Sequence, residues 1–143
     1  MRNIKDTWLK RRRDRDLFEK YACALSSKTF KTQKEAVDYV RLHPAPRFYI
    51  SAQAASAYIN ALLSGKSVDG LSSSSLRRLK ELYRRFNEMR EEDNAKRMSV
   101  FSLCQIIVEQ DAPEFYIGYD HASKIISRES SKHNDRMARR NRV

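Results

Sequence analysis

One stretch of this chain is written twice, and that constrains the fold more than any other feature. Residues 45–59 read A-P-R-F-Y-I-S-A-Q-A-A-S-A-Y-I, and residues 112–126 read A-P-E-F-Y-I-G-Y-D-H-A-S-K-I-I. At a constant offset of 67, eight of the fifteen positions are identical, including Ala45/Ala112, Pro46/Pro113, Phe48/Phe115, Tyr49/Tyr116 and Ile50/Ile117. Upstream the likeness continues in type, with Ala36/Leu103, Val37/Cys104 and Val40/Ile107 all apolar. Such a period is too long for a solenoid, and there are only two copies. The pattern predicts an internal duplication: two related units, residues 1–66 and 67–130, packed face to face, followed by a basic C-terminal arm, 131–143.

The units read as mainly α. Three Gly and three Pro in 143 residues are too few for a turn-rich β fold. About six helices are expected, in two helix, helix, short strand, helix units. The first covers residues 2–26, basic early and amphipathic late through Leu17, Phe18, Tyr21 and Leu25. Thr32 and Glu35 have capping-box spacing, so a second helix should start near residue 33 and stop before Pro44. Ser51 should cap a third helix, which Gly65 stops. Ser75 or a neighbour caps a fourth, with a seam of Leu76, Leu79, Tyr83, Phe86 and Met89. Leu82-Tyr83-x-x-Phe86 on that helix echoes Leu17-Phe18-x-x-Tyr21 at an offset of 65. Ser99 caps a fifth, burying Leu103, Cys104, Ile107 and Val108. A sixth carries Ala122, Ile125 and Ile126, and beyond Ser130 the basic arm is expected to fray.

Arg47-Phe48-Tyr49-Ile50 and its counterpart from Glu114 to Ile117 are runs of strand formers. Buried backbone groups need partners, so the two strands are expected to pair with each other across a pseudo-twofold axis. Alternation then puts Phe48 and Ile50 on one face and Arg47, Tyr49 and Ser51 on the other, with Arg47 and Glu114 at equivalent positions. The aromatic residues read as core, with the tyrosine hydroxyls hydrogen-bonded.

A short strand followed by two helices resembles the ribbon-helix-helix DNA-binding proteins. That resemblance implies a ribbon over 47–51 in the major groove, with Arg47, Tyr49 and Ser51 facing DNA. Glu114 departs from the pattern. The stretch H-P-A-P-R-F-Y-I-S, residues 43–51, together with K-E-A-V-D-Y-V at 34–40, is also similar to small uncharacterised basic proteins of Bacteroides-type bacteria and their phages or mobile elements. That resemblance implies an origin and no site.

Charge is the broadest functional signal. A net charge of +11 suggests nucleic acid or an acidic protein as partner. It gathers in Arg11, Arg12, Arg13 and Arg15; in Arg77, Arg78, Arg84 and Arg85; and in Lys132, Arg136, Arg139, Arg140 and Arg142. On the fourth helix, pairs such as Arg77 with Glu81 and Arg84 with Glu88 would neutralise the charge. The candidate nucleic-acid-binding residues are therefore Arg11, Arg12, Arg13, Arg15, Arg47, Arg136, Arg139, Arg140 and Arg142. No Gly-rich phosphate loop is present. His43, His121 and His133 share no metal-ligand spacing with each other or with the cysteines. Cys23 and Cys104 read as buried free thiols. No run approaches the roughly 20 apolar residues of a membrane helix. The expectation is a non-enzymatic, cytoplasmic nucleic-acid-binding protein, DNA ahead of RNA, regulatory or accessory, with no cofactor or metal. The alternative is a structural or adaptor protein, such as a phage accessory component, with an acidic protein partner.

Overall fold

A computed structural model describes residues 4–141. Its helices are α1 (Ile4–Ser27), α2 (Gln33–Arg41), α3 (Ala52–Leu63), α4 (Ser73–Arg90), α5 (Val100–Ile107) and α6 (Tyr119–Arg140), with one 3-10 turn at Asp93–Ala95. The caps follow local chemistry. Thr32 Oγ1 accepts from Glu35 N–H at 3.1 Å, and the Glu35 carboxylate accepts from Lys31 N–H at 3.2 Å. Ser51, Ser72 and Ser99 each accept from the third residue into their helices. Helix α3 ends with Lys66 N–H on Ala61 O and Gly65 N–H on Leu62 O; Gly65, at φ +74°, supplies the left-handed turn that this motif requires. Gly118 begins α6 without a side-chain cap, and Asp120 sits in its first turn.

The helices pack crosswise. Helices α1 and α2 pack on each other and on α6, while α4 and α5 pack on each other and on α3. The third helix of each half thus completes the other half's core. Leu17, Val37, Val40, Leu82, Leu103, Ile107, Ile125 and Ile126 are all fully buried. On α4 the buried residues are Leu79, Leu82 and Phe86, while Leu76, Tyr83 and Met89 of the expected seam are only partly buried.

The expected strands do not form. Among the described residues there is no β-strand and no sheet, only one isolated antiparallel bridge between Ala45 and Ala112. The two residues exchange N–H···O bonds of 2.9 Å, and the ladder stops there. The reason lies in competing acceptors. Phe48 N–H donates to Val108 O at 3.0 Å, and Phe115 N–H donates to Arg41 O at 3.1 Å. Those carbonyls sit at the ends of α5 and α2, where the last turn leaves acceptors unused. Each F-Y-I segment therefore caps the opposite half's helix instead of pairing with its counterpart. Tyr116 also takes φ 55°, a left-handed conformation that no extended strand admits.

Without a ribbon, the major-groove geometry implied by the ribbon-helix-helix resemblance is lost. Ser51 is a helix cap, and Tyr49 donates its hydroxyl to Asp16 at 2.6 Å. The aromatic residues instead make the centre of the core. Phe48 stacks on Tyr116 at 6.0 Å and Tyr49 stacks on Phe115 at 5.8 Å between ring centroids. Both stacks, both capping bonds and the bridge exchange partners under a shift of 67.

Two further expectations change. Cys104 is buried, but Cys23 is exposed, because the inward face of α1 runs through Leu9, Leu17 and Ala24. The basic residues beyond Ser130 are not frayed: α6 continues unbroken to Arg140, exposed from residue 131 onward. Arg2 and Arg142 lie outside the described residues.

Candidate nucleic-acid interface

Helix geometry gathers two basic stripes into one cleft. On α1, Trp8, Arg11, Arg12 and Arg15 recur at the three- and four-residue spacing that shares a helix face. On α6, Arg128, Lys132 and Arg136 are spaced by four. Because α1 packs against α6, these stripes line a cleft of about 600 Å³, together with Asp14 and Glu129. Of the residues expected to bind, Arg11, Arg12, Arg15 and Arg136 meet here although 121 residues separate Arg15 from Arg136.

Two buried carboxylates hold this arrangement. Asp14 and Asp16 are each 7% exposed. Asp14 accepts from Arg13 Nε at 3.1 Å and from Arg128 at 2.6 Å. Asp16 accepts from Arg12 Nε at 3.2 Å and from the Tyr49 hydroxyl. The arginine partners are partly exposed, about half so for Arg12 and Arg128, so solvent screens these pairs and each holds its carboxylate less tightly than a fully buried pair would. Arg13 is thus a positioning residue that does not line the cleft. Glu129 pairs with Lys132 at 3.5 Å. Arg11 and Arg136 make no ion pair among the described residues. Farther along α6, Arg139 and Arg140 are exposed and share a hollow with His133 and Met137.

A second hollow of about 570 Å³ adjoins the cleft across Trp8. Its wall includes Trp8, Arg47, Gln53, Phe101 and Gln105. Trp8 is 51% exposed and Phe101 43%. Arg47 donates Nε–H to its neighbour's carbonyl, Phe48 O, at 3.0 Å and lays its guanidinium 5.6 Å from the Trp8 ring centroid.

The α4 arginines are placed differently. Arg84 pairs with Glu81 and Glu88, each at 2.6 Å. Arg77 bypasses Glu81 and forks onto Glu114, at 2.8 and 3.3 Å. Arg85 donates to Asp111 O at 2.8 Å and lies 4.9 Å from the Phe48 ring centroid. Burial lowers the pKa of Arg78.

Titratable groups elsewhere follow burial. The Tyr49 phenol is pushed far up, first by desolvation and then by its bond to Asp16. Tyr116 is raised to about 12, mainly by desolvation. Burial raises the Cys104 thiol to about 11, which removes the thiolate a nucleophile needs. Desolvation, and then the nearby Arg13, lowers His121.

Sequence reasoning missed Trp8, Phe101 and Arg128. Trp8 was recoverable in principle, since it precedes Arg11 and Arg12 by one helical turn. Arg128 needs the α1–α6 packing, and Phe101 needs the tertiary fold that brings α5 to the hollow Trp8 also lines. No protein family, curated protein or solved structure matches the chain. No helix among the described residues is long and apolar enough to cross a membrane.

Proposed function

We propose that this is a non-enzymatic nucleic-acid-binding protein whose α1–α6 cleft receives backbone phosphates, in a regulatory or accessory role. One observation carries this reading. Six cations line the cleft against two carboxylates, and both carboxylates already have cationic partners inside it. The cleft therefore keeps a positive excess, and a low-dielectric floor beneath it strengthens attraction for a polyanion. Placement of the chain with DNA, in a phage or mobile element and in the cytoplasm, rests on charge and on the likeness of residues 43–51. The paired exchange of contacts under a shift of 67 supports an origin by internal duplication.

Salt-titrated binding to labelled oligonucleotides tests the reading. Each phosphate contact contributes roughly 0.7–0.9 to the slope of log K against log salt. The double variant Arg11→Gln/Arg136→Gln is expected to lower that slope by about 1.5 and to leave the fold intact, since neither residue is ion-paired among the described residues. No binding of any nucleic acid at low salt would overturn the reading and favour an acidic protein partner.

A further inference from the structure

The aromatic hollow is distinct from the cleft but shares one lining residue with it. Trp8 belongs to both walls. A half-exposed Trp is an unusual surface residue, and this is the only tryptophan of the chain. Arg47 lies over one face of its ring, which fixes the indole and brings a further cation to the junction. Phe101 lies in the same hollow, 43% exposed, off the face of α5 that buries Leu103, Cys104 and Ile107. Polar edge-binding groups, Gln53 and Gln105, complete the wall.

We infer that the occupant of this combined surface is an unpaired polynucleotide strand: phosphates follow the α1–α6 cleft, and a base leaves the strand to stack in the hollow on Trp8. This inference rests on the proposed function and narrows its substrate class. A duplex keeps its bases stacked inside, so it offers phosphates to the cleft and nothing to an aromatic hollow beside it. Single strands expose a π-face at every residue, and proteins that bind them combine a basic groove with aromatic platforms. Charge complementarity also favours this occupant over an apolar peptide, since Arg47 lies in the wall of the hollow and Trp8 is shared with the cationic cleft.

Trp8 supplies its own readout. The intact protein is titrated at low salt with oligothymidylate, with oligouridylate and with a mixed-sequence duplex of equal length, following both ligand anisotropy and tryptophan fluorescence. Tighter binding of a single strand than of the duplex, with quenching of Trp8, is the expected result with either sugar. Trp8→Leu should weaken single-strand binding about tenfold, within the range for loss of one stacked base, and leave the salt slope unchanged. Trp8→Phe should restore most of the affinity. Circular dichroism verifies that both variants fold. Duplex binding at least as tight as single-strand binding, or single-strand affinity indifferent to Trp8→Leu, overturns this inference and leaves the proposed function standing. Failure of every nucleic acid to bind overturns both.

Discussion

Two corners of the molecule occupy corresponding positions and differ in charge, one cationic and the other neutral. In one, Arg47 lies over the ring of Trp8 on α1, and Arg12 stands one turn along that helix. In the other, at offsets of 67 for the loop residue and 65 for the helix, stand Glu114, Arg77 and Ser73. The second corner is closed: Arg77 forks onto Glu114 and donates to Ser73 Oγ at 3.1 Å. The first cannot close in this way, because an arginine stands where the carboxylate would be. Arg47 turns onto the indole, and Arg12 onto Asp16 one turn along. The neighbouring helices repeat the contrast. Helix α6 runs on with Arg128, Lys132 and Arg136, where the corresponding positions after the middle of α3 are Ala61, Gly65 and Asp69. The same backbone arrangement supports a neutral, sealed corner on one side and a cationic, open one on the other. The proposed binding surface lies apart from the core that both sides share.

The shared core should respond alike on both sides, and this is the largest effect. Phe48→Ala and Phe115→Ala each remove a buried ring stacked on a tyrosine and should each cost about 3–5 kcal/mol, read by urea denaturation. Costs differing by more than about half would break the equivalence of the two sides.

The tyrosines should then separate. Tyr49→Phe leaves buried Asp16 without one of its two donors and should cost about 1–3 kcal/mol. Tyr116→Phe loses no such bond among the described residues and should stay within about 0.5 kcal/mol. Alkaline pH sharpens the same contrast. Both phenols are raised in the folded state from 10.0, so above that pH the unfolded chain releases protons that the folded one keeps. Stability is fully present below pH 10 and declines as pH rises beyond it. Tyr49→Phe should flatten the decline, measured as the urea midpoint between about pH 9 and 11.

A smaller effect tests whether the open corner can be made to resemble the closed one. Arg47→Glu places a carboxylate beside Arg12 and should weaken oligonucleotide binding about tenfold, roughly 1.4 kcal/mol, in the anisotropy titration. The smallest expected effect belongs to the closed corner itself. Arg77→Gln should change stability by about 0–1 kcal/mol, as exposed ion pairs do, and leave the salt slope of binding where it was. A lowered slope would extend the interface to α4 and weaken the contrast between the corners.

Much of the helical architecture was legible from residue patterns. Thr32, Ser51 and Ser99 act as caps because short polar side chains satisfy first-turn N–H groups wherever a helix begins, and that is local chemistry. The burial of Phe48, Ile50, Phe115 and Ile117 was also legible from alternation. The strand assignment failed because the decisive partners, Arg41 O and Val108 O, lie 74 and 60 residues away from the N–H groups of Phe115 and Phe48. Local propensity cannot weigh an acceptor at the end of another helix against one in a neighbouring strand. For the interface, the cationic segments were readable, but their convergence depended on α6 packing against α1. The aromatic half of the surface depended on tertiary structure too, because Trp8 lies on α1 and Phe101 on α5.

The crosswise arrangement also bears on how the protein is made. Helices α1 and α2 leave the ribosome early, but the wall they pack against, α6, is translated after every other helix described. At roughly 5–20 residues per second, the apolar faces around Leu17, Val37 and Val40 wait roughly 4–20 seconds before synthesis of their cover begins. The nascent chain must cross that interval unshielded or in the care of a chaperone.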